Sequence, residues 1–185
     1  MRSSLLLLCW SINFIGVAQT GPGGVGNSSS NVLWLDASYG VTAPTLAVSA
    51  WADRSGNGNN AAQTNTNRQP AYVTGTVNGY PAIQFDNDQT DPDMLRIPDN
   101  STLEGMSGLT SFCVYQFAAG TALAAPRAIF TKRNSPDGQE AYAWFHYNGG
   151  GAGATRYMYL DIDGTGNRIN SSAAFVIGTT YLNSF

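Results

Sequence analysis

Turn-forming residues interrupt this sequence at short intervals, and their spacing limits the length of the secondary-structure elements that the chain can form. Stretches such as SGNGNN (55–60), TVNGY (76–80) and NSPDGQ (134–139) are rich in Gly, Asn, Ser and Pro, the residues that favour turns. The apolar runs between them have the length of strands rather than of helices. Regular short strands separated by such turns predict an antiparallel β-sandwich or β-barrel.

Nine apolar runs are predicted to be strands, and no long helix is predicted. Glu104, Glu140 and Lys132 are the only glutamates and lysine among the 185 residues, and surface helices usually depend on these residue types. STLEGM (101–106) could form a single turn. The predicted strands are VLWLDA (32–37), VSAWAD (48–53), PAYV (70–73), PAIQF (81–85), DMLRI (93–97), LTSFCVYQF (109–117), AIFTK (128–132), EAYAWFHY (140–147) and TRYMYLDID (155–163).

Residues 1–18 are predicted to be a cleaved secretory signal peptide. An early arginine precedes an apolar stretch (5–15), and Gly16 and Ala18 fit the small-residue pattern of a cleavage site. A transmembrane anchor is the weaker interpretation, because the stretch is shorter than the roughly 20 apolar residues that a span needs. No other segment could span a membrane, so the protein is predicted to be secreted or displayed at the cell surface.

Cleavage would leave a flexible lead-in (19–31) and one domain (32–185) with a single thiol. Removal of Cys9 leaves Cys113 without a disulfide partner, in a predicted strand where a buried, inert thiol is expected. Cleavage also removes one of the 9 basic residues and none of the 12 acidic ones, so the mature net charge is −4. Nucleic acid and anionic lipid are bound through basic patches, and this balance excludes both as partners.

The two longest strands near the C-terminus alternate in a way that suggests a binding face. In TRYMYLDID the aliphatic residues share one face and are predicted to point into the core. Tyr157 and Tyr159 share the other face, which would be solvent-facing or line a concave groove where rings could stack on sugars. Trp144 and His146 share one face of EAYAWFHY, and these four residues are the candidate ligand-binding set. The alternative is that the tyrosines are ordinary strand residues with solvated hydroxyls.

Five segments follow one another from Val32 to about residue 148: LWLDAS, VSAWADRSGNGNNAAQ, NGYPAIQFD, MLRIPDNSTLEGMSGLTSFCVYQF and AIFTKRNSPDGQEAYAWFHYN. In this order they resemble the concanavalin A-like lectin/glucanase superfamily, specifically the laminin-G-like jellyroll domains of secreted bacterial proteins. The resemblance implies an all-β, antiparallel two-sheet jellyroll sandwich whose concave face or rim loops bind glycans or proteins. Domains of this family continue for several strands past the point where Phe185 stands, so the closing strands are expected to be missing.

Four aspartates cluster in the connection between Phe85 and Met94: Asp86, Asp88, Asp91 and Asp93. Calcium takes six to eight oxygen ligands, usually including several carboxylates, and many members of the resembled family hold a calcium ion at the rim. These four residues are therefore the candidate calcium ligands, and calcium is the one cofactor considered. The alternative is a turn in which aspartate side chains accept hydrogen bonds from nearby backbone amides.

Two further loops, 53–59 and 161–167, imitate the ligand spacing of a calcium loop. Neither has a glutamate at its twelfth position, so both are predicted to be hairpin turns. Asp161 and Asp163 also resemble part of the paired-carboxylate motif of the superfamily's glucanases, but the flanking glutamates are absent. Hydrolysis of glycosidic bonds by this domain is therefore disfavoured, and no catalytic residue is assigned.

The predicted function is a secreted or cell-surface recognition module that binds carbohydrate or a surface protein without performing chemistry. One alternative is a module that targets a polysaccharide-degrading enzyme whose catalytic domain lies beyond residue 185. The other is a structural spacer or adhesin segment with no small ligand.

Overall fold

The structure is a computed structural model of the chain, and it describes residues 21–27, 29–86, 90–104, 108–118, 127–134, 139–147, 157–162, 168–171 and 174–185. Strands and short 3-10 turns make up the regular structure of these residues, and none of them belongs to an α-helix. The predicted all-β class is confirmed. The predicted signal peptide (1–18) lies outside the described residues.

The strands are β1 (Val41–Thr42), β2 (Ala50–Trp51), β3 (Ala61–Ala62), β4 (Ala71–Val77), β5 (Tyr80–Gln84), β6 (Phe112–Gln116), β7 (Arg127–Asn134), β8 (Gln139–Tyr147), β9 (Tyr157–Ile162), β10 (Arg168–Asn170) and β11 (Thr180–Ser184). The 3-10 turns cover Pro22–Gly24, Thr66–Arg68 and Ser101–Leu103. The last of these lies within STLEGM, where a single turn was predicted.

The chain divides into two compact units, Met1–Leu103 and Glu104–Phe185. In the first unit β1, β2 and β3 form an antiparallel sheet in that order, and β4 and β5 form a hairpin. The hairpin turns at Asn78 and Gly79, whose φ angles are 51° and 84°. Positive φ at both positions is typical of a type I′ turn, which favours the Asn-Gly pair, so the turn predicted in TVNGY is confirmed.

The second unit contains two antiparallel sheets, one ordered β10-β9-β8-β7 and one made of β11 and β6. Trp144, Met158 and Leu160 of the larger sheet form a buried cluster, and Tyr115 of β6 packs against it, as does Phe185, which follows β11. The two sheets therefore pack face to face, which makes this unit β-sandwich-like.

Alternation of inward and outward residues accounts for this packing. Met158 and Leu160 are buried and Ile162 packs against the cluster, so the predicted inward direction of the aliphatic residues of β9 is confirmed. On β6, Cys113 and Tyr115 lie on the inner side, whereas the residues between and beside them are exposed.

Two of the predicted strands are not strands in the structure. VLWLDA (32–37) makes only an isolated bridge between Leu35 and Asp53, and DMLRI (93–97) only one between Arg96 and Ala62. Both segments run beside other chain segments without forming a continuous ladder of backbone hydrogen bonds.

Within the described ranges there is no helix long and apolar enough to cross a membrane.

Candidate functional site

Three tyrosines lie together on one face of β8 and β9. In the register of these strands Tyr147 stands opposite Tyr157, and Phe145 stands opposite Tyr159. Directly opposed residues in an antiparallel pair point to the same side of the sheet, so these four rings share one surface, here called the tyrosine face. Its tyrosines are partly exposed, whereas Phe145 is buried.

Contacts between rings fix the geometry of the tyrosine face. The ring of Tyr159 stacks on Phe145 with centroids 5.7 Å apart and 19° between the ring planes. It meets the ring of Tyr147 nearly edge to face, with centroids 6.2 Å apart. These separations lie in the range in which aromatic pairs attract each other. Tyr159 is therefore held in one orientation by two neighbours, with part of its surface still open to solvent.

Trp144 and His146 lie on the opposite face of the same sheet. Their partners across the strand pair are Leu160 and Met158, which are the buried residues of β9. Trp144 is 2% exposed and His146 is fully buried. The structure thus divides the four candidate ligand-binding residues into a partly exposed pair, Tyr157 and Tyr159, and a pair packed in the interior.

Aromatic rings surround His146. The imidazole meets Phe175 nearly edge to face at 4.5 Å between centroids and lies 5.3 Å from the ring of Phe117. Phe117 and Phe175 also stack on each other at 4.9 Å. In this arrangement His146 is a packing residue of the sheet interior, with no surface available to a ligand. Trp144 is also a packing residue of the interior, and its ring meets the ring of Phe185 edge to face.

The described part of the acidic loop has the hydrogen bonds of a turn. Asp93 accepts a hydrogen bond from the backbone N–H of Asp86 at 2.7 Å through Oδ2, and its own N–H donates to the carbonyl of Asp86 at 2.9 Å. Asp91 pairs with Arg68, with 3.2 Å between Oδ1 and Nε. Burial raises the pKa of Asp93; the Asp86 charge adds to this rise and the Asp86 N–H opposes it. Asp88 lies outside the described residues, so the four-residue calcium set remains a prediction.

Among the residues that the structure describes, no group of three or more His, Cys, Asp or Glu is arranged to hold a metal ion. In the loop 161–167, only Asp161 and Ile162 are described; Asp161 is fully buried, and Asp163 is outside the described residues. The pairing of Asp161 with Asp163 therefore remains a prediction.

The loop 53–59 is organised by one carboxylate. Oδ1 of Asp53 accepts hydrogen bonds from the backbone N–H groups of Trp34 and Ser55, both at 2.9 Å. Oδ2 accepts from the hydroxyl of Ser55 at 2.7 Å and from the N–H of Asn59 at 3.0 Å. With four donors, the carboxylate is fully occupied by the protein. The predicted turn at this position is confirmed, and its spacing of polar residues has a structural explanation.

A second polar cluster, which the sequence did not single out, lies near the start of the described domain. Arg54 forms an ion pair with Asp36, with 2.8 Å between Nη1 and Oδ2. The guanidinium carbon lies 4.4 Å from the ring centroid of Trp34 and 5.0 Å from that of Tyr39. These four residues are called the Arg54 cluster below. In the sequence, LWLDASYG and WADR each combine charged and aromatic residues. Only the fold brings the two segments together.

The comparisons with known proteins add no relatives: no family model, no curated protein and no solved structure matches the chain.

Proposed function

We propose that the protein is a secreted or cell-surface recognition module that binds carbohydrate through the tyrosine face and performs no chemistry itself. One observation carries the proposal: Tyr147, Tyr157 and Tyr159 share a partly exposed face of β8 and β9 whose reverse side is packed in the interior. Tyrosine combines an apolar ring with a hydroxyl that donates and accepts hydrogen bonds, which is the mixture that a saccharide ring requires.

The ring geometry supports a rigid site. Because Phe145 and Tyr147 hold Tyr159 in place, a bound sugar would not need to order that side chain. Such pre-organisation reduces the entropy cost of binding. Phe145 occupies one face of the Tyr159 ring, so a ligand would use the hydroxyl and the open part of the ring rather than a fully exposed aromatic plane.

The proposal includes the finer fold assignment. Two antiparallel sheets packed face to face in the second unit support a sandwich, and the ordered segments from LWLDAS to AIFTKRNSPDGQEAYAWFHYN support a laminin-G-like, concanavalin A-like jellyroll. The same resemblance supports glycan binding and export. Calcium, if it binds, would order the loop from Asp86 to Asp93, and addition of a chelator would then lower the melting temperature of the protein, but not that of the Asp91→Asn variant.

The test is binding of the full chain to a glycan array, followed by titration of the best soluble hit. Tyr159→Ala removes the central ring and is expected to weaken binding by about 5- to 10-fold, since a stacked or hydrogen-bonded aromatic contributes about 1 to 1.4 kcal/mol. Tyr80→Ala is the matched control, because Tyr80 is a highly exposed tyrosine that belongs to the first unit and is not part of the tyrosine face. Equal affinity of the two variants would overturn the proposal.

Two other functions are tested by the same experiment. Binding of surface proteins in place of glycans would favour the protein-recognition version of the module, and no ligand at all would favour a structural spacer or adhesin segment. The targeting role beside a polysaccharide-degrading enzyme predicts retention on an insoluble polysaccharide without release of reducing sugar by this chain.

A further inference from the structure

The Arg54 cluster is held rigidly at the surface of the first unit. Its turn is closed by the N–H of Tyr39, which donates to the carbonyl of Asp36 at 2.9 Å. That carbonyl also accepts a hydrogen bond from the indole Nε1 of Trp51 at 2.9 Å. The N–H of Arg54 donates to the carbonyl of Trp34 at 2.8 Å. Backbone and side chain therefore fix both halves of the cluster.

A close approach of the backbone keeps the turn against the neighbouring segment. Gly40 has a φ of +63°, and a Cβ atom at this position would lie 2.5 Å from the Cβ of Ala52. The N–H of Ala52 donates to the carbonyl of Gly40 at 3.0 Å. Only glycine fits such a conformation at this distance, so the turn that presents Tyr39 has a single arrangement.

The cluster retains unused donors but few unused acceptors. Asp36 accepts hydrogen bonds from the N–H and hydroxyl of Ser38 at Oδ1 and from Arg54 at Oδ2. Burial raises the pKa of Asp36, but the hydrogen bonds from Ser38 and the neighbouring Arg54 lower the pKa by a larger amount. The pKa therefore lies below its usual value, and the carboxylate remains charged well below neutral pH. Within the described chain, the only hydrogen bond of the Arg54 guanidinium is the one to Asp36, although a guanidinium has five N–H donors.

Exposure leaves these donors and one ring accessible. The side chain of Arg54 is 37% exposed and Tyr39 is 44% exposed. A ligand for this surface must supply acceptor oxygens to the planar guanidinium of Arg54 and an apolar surface to the ring of Tyr39. Neighbouring hydroxyls on a sugar ring supply the first, and its C–H groups supply the second.

Charge then selects between ligand classes. The Arg54–Asp36 pair is neutral as a unit, and the chain carries a net charge of −3. An anionic ligand would gain from Arg54 but would be repelled by Asp36, and long-range attraction would be absent. A neutral saccharide loses nothing to this repulsion.

We propose that the Arg54 cluster is a second saccharide subsite, separate from the tyrosine face, that binds a neutral sugar through the Arg54 donors and the ring of Tyr39. The inference rests on the proposed function for its ligand class alone, because the cluster and the tyrosine face lie in different units. It adds a site, named residues and a preference against acidic sugars.

The test uses the full chain and a panel of neutral hexasaccharides of glucose, mannose, galactose and xylose, with oligogalacturonate as the acidic probe. Arg54→Lys keeps the charge but loses the planar fork and its contact with the rings. Tyr39→Ala removes the exposed ring, and Tyr39→Phe is the matched control that keeps it. Isothermal titration is expected to show about 5- to 10-fold weaker binding of the best neutral saccharide to Arg54→Lys and Tyr39→Ala, and less than about 2-fold for Tyr39→Phe.

A second readout separates binding from structure. The Nε–H signal of Arg54, assigned by its absence in Arg54→Lys, is expected to shift in the NMR spectrum on addition of the neutral saccharide, in the wild-type protein and in Tyr159→Ala. Unchanged affinity in Arg54→Lys and Tyr39→Ala, or no shift of the signal, would overturn the subsite. Tighter, salt-sensitive binding of oligogalacturonate would overturn its ligand class. If affinity falls in Tyr159→Ala alone, the proposed function stands and the subsite is rejected. If affinity falls in Arg54→Lys and Tyr39→Ala alone, the subsite stands and binding through the tyrosine face is rejected.

Discussion

A single buried carboxylate, that of Asp53, holds its own loop (53–59) together and ties it to the segment at Trp34. It binds the backbone at Trp34, Ser55 and Asn59. Asn59 continues the connection, since its amide donates to the carbonyl of Val32 at 2.8 Å and to the hydroxyl of Thr102 at 3.0 Å. Buried polar networks of this kind fix one arrangement when every member is satisfied. The Asp-x-Ser-x-x-x-Asn spacing of Asp53, Ser55 and Asn59 is thus explained by hydrogen bonds within the protein.

Asp53→Asn is expected to destabilise the protein by about 3 kcal/mol. The substitution replaces one charged carboxylate oxygen with an NH2 group, which would face hydrogen-bond donors that the carboxylate now satisfies. Urea unfolding followed by fluorescence measures the effect. Asp86→Asn, measured like Asp53→Asn with a chelator present, is the control, since Asp86 is exposed and such a change should cost less than about 0.5 kcal/mol. If both variants unfold at the same urea concentration, the Asp53 network does not have the role assigned to it.

Cys113 is expected to be unreactive in the folded protein. Burial raises the pKa of this thiol from 9.0 to about 11, and the thiolate is the reactive form. At pH 8 a disulfide reagent should therefore modify the native protein about 100-fold more slowly than the urea-unfolded chain. As pH rises, the unfolded chain loses its proton first, so stability is lost between pH 9 and about pH 11. Equal native and unfolded rates at pH 8 would contradict this.

At the scale of elements, the sequence predicted the strands that have strong apolar patterns and missed those defined by their partners. LTSFCVYQF and TRYMYLDID contain β6 and β9, and EAYAWFHY covers all of β8 except Gln139. The three-residue β10 and the polar TYLNS of β11 have weak patterns of their own, and pairing with β9 and β6 makes them strands. Two-residue ladders such as β1 and β3 are shorter than any periodicity can detect.

The candidate site was predictable in part for the same reason. Alternation within β9 placed Tyr157 and Tyr159 together, opposite the aliphatic residues. It could not give the register with β8, which sets Trp144 opposite Leu160 on the reverse face. Nor does alternation reveal that Phe145 is buried on the tyrosine face as Trp144 is on the reverse face, because apolar residues at nearly every position of EAYAWFHY remove the contrast between the two faces.

Two leucines of the second unit provide a matched test of its packing. Leu160→Ala on β9 removes a side chain that is 2% exposed in the core and is expected to cost about 2–5 kcal/mol. Leu182→Ala on β11 removes one that is 70% exposed on the outer side of the smaller sheet, and a cost below about 0.5 kcal/mol is expected. Chemical denaturation measures both. A larger loss for Leu182→Ala would mean that the inner and outer sides of this sheet are reversed.

For the whole molecule, the amino-terminal sequence pattern is the basis of the proposed export. With 12 acidic and 9 basic residues, the chain has no excess of basic charge with which to bind nucleic acid. A recognition module for external glycans would also need delivery outside the cell. The proposed function therefore depends on the predicted signal peptide, and its cleavage is the feature to test at this scale.

Cleavage between Ala18 and Gln19 is expected when the gene is expressed in a bacterium that secretes proteins, because small residues at Gly16 and Ala18 match what the peptidase requires. Ala18→Arg should block processing and leave the 185-residue precursor in the cells, whereas the control Val17→Leu, between the two small residues, should be processed normally. Intact mass and N-terminal sequencing separate the two products. Thiol titration in urea gives a second measure, since the precursor contains Cys9 and Cys113 and the mature chain Cys113 alone. Exported protein that still begins at Met1 would exclude cleavage, and equal processing of both variants would show that the peptidase does not read Ala18.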